Sequence, residues 1–83
     1  MEKVDKQRRY RQIREILHGK TMTAKEVAVE MMRRGFTPTD ERNFASPRIH
    51  ELEEFGEIER IGKKKCEYTG KSVWIYGMKE VQQ

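Results

Sequence analysis

The chain has 83 residues, 35% apolar and 39% charged, with a net charge of +4 and a pI near 9.4. That suffices for one small core, worth about 3–5 kcal/mol on general grounds, and the chain is read as a single domain over residues 1–83. One cysteine, Cys66, excludes an intrachain disulfide, and one Cys with two His offers no zinc spacing. No apolar run approaches the roughly 20 residues that span a bilayer, and the first residues form no apolar signal core, so a cytoplasmic location is expected.

A first helix is predicted from about Asp5 to His18, because Tyr10, Ile13, Ile16 and Leu17 recur at three- and four-residue spacing. Gly19 ends it. Residues 20–22 form a short extended segment, able to pair as an edge strand beside a later hairpin. A second helix starts sharply: Thr23 followed by Glu26 is a capping box, in which each side chain satisfies a free backbone amide of the other's turn. Val27, Ala28, Met31 and Met32 make its apolar stripe, Gly35 closes it, and Phe36 folds back on the core.

A third helix carries Ala45, Ile49, Leu52 and Phe55 at helical spacing and ends at Gly56. Pro47 lacks an amide and crowds the preceding turn. Two solutions are open: a kinked helix running continuously from about Asp40, or a helix whose regular part starts at Ser46 with Pro47 in its first turn. The kinked helix is the expectation, because Ala45 fits the stripe. Residues 57–61 and 72–76 then read as strands, with a polar, glycine-bounded segment over 62–71 between them. Met78–Gln83 is expected to fray. Trp74 and Tyr76 share one face of their strand and Val73 and Ile75 the other. The Trp74/Tyr76 pair is expected in the core, and its alternative is an exposed dimer contact.

The charge is unevenly placed. Residues 1–20 carry seven Lys/Arg against three acids and residues 60–71 carry five against Glu67, whereas residues 40–59 carry two against seven. The basic blocks suit a polyanion. Lys63, Lys64, Lys65 and Lys71 would make the hairpin tip a basic patch that neutralises phosphates. The acids at 40, 41, 51, 53 and 54 argue the other way. Cys66 is expected to be an incidental, reduced surface thiol, against a redox switch. The Thr69–Ser72 stretch lacks the earlier glycine and following helix of a phosphate loop. No catalytic constellation is present, and no enzyme activity, cofactor or metal is expected.

The pattern Leu52-Glu53-Glu54-Phe55-Gly56-Glu57-Ile58, running into Lys63-Lys64-Lys65, resembles the winged helix-turn-helix superfamily. Residues 21–35 look like that family's second helix, and with residues 65–78 the chain is similar to small winged-helix proteins of phages and prophages. The resemblance covers about residues 8–78. It implies an α+β winged-helix fold: a three-helix bundle with two helices joined by a brief turn, plus a C-terminal hairpin wing. It also implies double-stranded DNA binding, by a transcriptional regulator or phage replication accessory factor. The recognition helix, about residues 40–55, would enter the major groove and present Arg42, Asn43 and Ser46, with Arg48 at the margin. His50 shares that face. Arg suits guanine and Asn adenine because their paired donors and acceptors match those base edges. Arg8 or Arg9 would touch the backbone. Monomer and homodimer both stay open. The rival reading is a protein-interaction module of the same fold that binds no nucleic acid, and RNA is a third partner class.

Overall fold

The computed structural model describes residues 2–79, with side chains from Lys6 onward. Its elements are α1 (Glu2–Leu17), β1 (Thr21–Thr23), α2 (Ala24–Arg33), a 3-10 turn (Arg42–Phe44), α3 (Ser46–Glu54), β2 (Ile58–Lys65) and β3 (Ser72–Met78). The chain is thus α+β, with three helices and a three-stranded antiparallel sheet, compatible with the expected winged-helix arrangement. The sheet order is β1-β3-β2. The edge strand expected at 20–22 exists one residue later and pairs with β3, Thr21 facing Gly77.

Each helix contributes the stripe its spacing dictates. Tyr10, Ile13, Ile16 and Leu17 of α1 meet Val27, Ala28 and Met31 of α2 and Ile49 and Leu52 of α3 in one buried cluster, with Ile58 and Tyr76 from the sheet. Phe36 packs against this cluster as expected. The capping box is complete: Glu26 N–H donates to Thr23 Oγ1 at 3.1 Å, and Thr23 N–H donates to Glu26 Oε1 at 3.0 Å.

The third helix departs from the expectation. It does not run from Asp40 through a kink; it begins at Ser46, with Pro47 in its first turn and Ala45 as the capping residue. A proline at 47 would drive its ring against the carbonyl of Asn43 in a continuous helix. The chain therefore closes a 3-10 turn over 42–44 and restarts. The link between α2 and α3 is accordingly long, spanning residues 34–45 rather than a brief turn. Lys25 pins it, donating from Nζ to the Asp40 carbonyl at 2.8 Å. Phe55 is also corrected: it caps α3 with helical backbone, its amide on the Glu51 carbonyl, yet its ring is 60% exposed and touches Tyr10 edge-to-face instead of joining the buried stripe. Met32 likewise lies outside the core.

Gly56 reverses the chain at φ +84, which the glycine permits without strain. Glu57 N–H then reaches back to the Leu52 carbonyl at 3.0 Å, and Ile58 re-enters the core. The strand that follows is longer than expected. A register shift between Arg60 and Gly62 leaves Ile61 bulged. Ile61 lies over Gly77, where an added Cβ would meet its Cδ1 at 2.5 Å. Past the bulge, Lys63, Lys64 and Lys65 pair with Trp74, Val73 and Ser72. The lysines therefore lie on β2 and not at the tip. Met78 and Lys79, expected to fray, are held: Met78 pairs with Ile58 and Lys79 N–H donates to the Glu57 carbonyl at 2.8 Å; the rest of that expectation, residues 80–83, lies outside the described residues.

Thr23 is fully buried and ends β1 while starting α2. Thr23→Ala should cost about 1–2 kcal/mol, the upper range for a lost helix cap. Urea denaturation followed by circular dichroism measures this, and an unchanged midpoint would mean the cap contributes nothing.

Candidate nucleic-acid interface

A cleft of about 620 Å³ opens where three pieces of chain meet: the start of α2, the 3-10 turn with the first turn of α3, and the outer half of the hairpin. The start of α2 is closed by Thr23 and the Glu26 carboxylate, and Pro47 brings no amide to the first turn of α3, so the preference of this end for anions rests on its side chains.

Four of the eight expected site residues, Arg42, Asn43, Ser46 and Lys71, line this cleft. Arg42 and Asn43 are exposed on the 3-10 turn, and Ser46 is half-buried at the first position of α3. Arg42 and Asn43 thus reach the cleft from a separate turn ahead of α3, and Ser46 reaches it from the first turn of the helix. Lys71 comes from the far side of the hairpin turn.

The other four behave differently. Arg48 is not brought to the cleft. It bonds through Nη2 to Glu51 at 3.2 Å, and its Nε lies 3.0 Å from the same carboxylate without the alignment of a hydrogen bond. Glu51 also accepts from Tyr10 Oη at 2.6 Å, which ties Arg48 to the α1 side. Lys64 pairs with Glu26 at 2.7 Å, so its charge is largely spent on the α2 cap. Lys63 lies over the Trp74 ring, 4.6 Å from its centre, and Lys65 is exposed. Arg9 is engaged too, donating to the Phe36 carbonyl at 3.1 Å, while Arg8 is exposed.

The acids that seemed to oppose a polyanion are mostly occupied. Asp40 pairs with Lys25, Glu51 with Lys6 and Arg48, Glu53 with Arg60, and Glu57 with Arg14. Among the described residues from 40 to 71, Glu41, Glu54, Glu59 and Glu67 make no ion pair, and neither do Arg42, Lys63, Lys65 and Lys71. Of the residues lining the cleft, the unpaired charges are Arg42 and Lys71 against Glu41, an excess of one cation.

Sequence reasoning missed three residues here. Trp74 was placed with the core, yet it lines the cleft and is 39% exposed, while its face-mate Tyr76 is buried. The register signal was available: the core ends at Tyr76, and Trp74 lies one step further out. Lys25 was passed over, although the first turn of a capped helix borders such a cleft. Cys66, expected on the surface, is buried at the cleft margin. Hydrogen bonds from the Thr69 hydroxyl and the Tyr68 amide lower its thiol pKa.

No protein-family model, curated protein or solved structure matches this chain. Among the described residues no helix is long and apolar enough to cross a membrane, and no group of three or more His, Cys, Asp or Glu could hold a metal ion.

Several carboxylates titrate low. The Tyr10 hydroxyl holds Glu51 down, Arg14 holds Glu57, and Arg34 holds Glu30. Burial works to raise Glu26, but the Lys64 ammonium and the Thr23 amide outweigh it and the carboxyl ends below its usual range. A carboxylate lowered in the folded state stabilises above its unfolded pKa, and that contribution disappears as pH falls through the folded value. The urea midpoint should therefore hold from pH 7 down to about 4.5 and drop below that, since unfolded glutamates titrate near 4.3. Glu51→Gln should flatten the drop; an unaltered acid limb in that variant would remove Glu51 from the account.

Proposed function

We propose that this chain binds double-stranded DNA as a winged helix-turn-helix domain, with the start of α3 directed into the major groove and the hairpin as a wing on the phosphates. The observation that carries the reading is the meeting of Arg42, Asn43 and Ser46 with Lys71 on one cleft, from stretches far apart in sequence. A guanidinium and a carboxamide on the turn just ahead of a helix carry the paired donors and acceptors that suit guanine and adenine edges, and lysine is a point charge that neutralises phosphate without reading sequence. Ser46 suits a phosphate oxygen. The internal pairing of Asp40, Glu51 and Glu53 supports the same reading, because it takes up the acids that would repel a duplex. The role that goes with it is a transcriptional regulator or a phage replication accessory factor.

One observation favours a second reading, a protein-interaction module without nucleic acid: Phe55 is 60% exposed at the end of α3, beside the unpaired Glu54.

Titrating a fluorescent duplex at several salt concentrations separates the two. Affinity should fall linearly on a log–log plot, with a slope of about 0.9 per phosphate neutralised. Lys71→Ala should reduce that slope by about one, and Arg42→Ala should cost about 1–3 kcal/mol while relaxing base preference. No duplex binding at low salt would overturn the DNA reading and leave the second.

A further inference from the structure

We infer that Trp74 is a stacking platform for an unpaired nucleobase, so that the cleft takes DNA with an unstacked nucleotide in preference to a fully paired duplex. The inference rests on the nucleic-acid reading above and names the form of DNA the cleft favours.

The strand geometry puts the ring there. Tyr76 and Trp74 alternate onto the same face of β3, but only Tyr76 reaches the core. Trp74 continues that face beyond the helices and becomes a wall of the cleft that also holds Arg42, Asn43 and Lys71. A large aromatic exposed among cations does not contribute to the buried cluster, and an indole left there offers a flat apolar surface beside phosphate-binding groups. That combination is what single-stranded nucleic acid requires: charge for the backbone and a π-face for the base. The cleft, at about 620 Å³, falls within the roughly 300–1,000 Å³ of small-ligand sites, which is room for one extruded nucleotide.

Two cations now lie over the ring, the Arg60 guanidinium at 4.9 Å and the Lys63 ammonium at 4.6 Å from its centre. They differ in how they are held. Arg60 is anchored by Glu53 of α3 at 2.8 Å, whereas Lys63 has no carboxylate partner among the described residues. Neither cation lines the cleft, so the base stacks on the part of the ring that does, and Lys63 is left free to turn from the ring toward the incoming phosphate. Arg60 stays and keeps the indole oriented.

The chain holds one tryptophan, so its emission reports this ring alone. Three probes are compared: a fully paired duplex, the same duplex carrying one unpaired thymine, and the corresponding single strand. The thymine-bulged duplex should bind about tenfold tighter than the paired one, within the range one stacked base supplies, and should quench the emission. Trp74→Phe should keep most of the preference and Trp74→Ala should abolish it. Equal affinity for the bulged and paired duplexes, with unchanged emission, overturns this inference and leaves the duplex reading intact. Failure of all three probes to bind overturns both. Binding of the single strand with none of either duplex keeps the Trp74 site and overturns the duplex reading. The wild-type comparison decides the matter even where Trp74→Ala does not fold.

Discussion

The arrangement depends on how Thr23, Glu26 and Lys64 meet. Thr23 ends β1 and caps α2; Glu26 returns the cap and pairs with Lys64 of β2. Three elements are thereby fixed at one point, and the cleft lies beside it, between the start of α2, the turn ahead of α3, and β3 with the hairpin turn. The strength of the ion pair is not the issue, since a partly exposed pair contributes little. Its value is directional: it sets which way the hairpin leans. The stability comes from the apolar cluster behind it, where α1 supplies Ile13, Ile16 and Leu17 as a floor for the other two helices.

Charge sorting follows from that frame. The chain carries many acids around α3, and counted in sequence they contradict a polyanion partner. In space they are distributed inward and sideways, to Lys6 and Arg14 of α1, Lys25 of α2 and Arg60 of β2. These pairs join elements that the core alone would leave free to slide. They also leave the cations at the open end with fewer internal partners. The same residues thus fix the orientation of α3 and, among the described residues, leave Glu41 as the one unpaired acid lining the cleft.

Much of the framework was legible in the sequence. The capping box, the apolar stripes of α1 and α2, the chain reversal at Gly56 and the edge strand after Gly19 each follow from a local rule, and local rules survive folding. What was not legible depended on geometry between elements. Pro47 allowed two helix starts, and the choice turned on a clash with the Asn43 carbonyl. Phe55 matches the helical period and keeps helical backbone, but beside the end of α3 its ring meets only the edge of Tyr10 among the aromatic rings described and stays largely in solvent. The lysines read as a tip because the bulge at Ile61 is invisible to a period-two count; with it, β2 extends to Lys65. Arg48 and Arg42 look alike as exposed basic residues near α3. Only Arg48 has a glutamate three residues on, and that pair turns it toward α1.

The position of β3 has a consequence for how the molecule is assembled. It is the last strand along the chain and the middle strand of the sheet, so neither β1 nor β2 has a ladder partner until it arrives. On a ribosome the helices emerge first and can collapse on one another, while both outer strands wait with bare edges. Closure is therefore a late, long-range event, in which Thr21 must find Gly77 across nearly the whole chain. A fault confined to that final strand would release every interstrand bond at once.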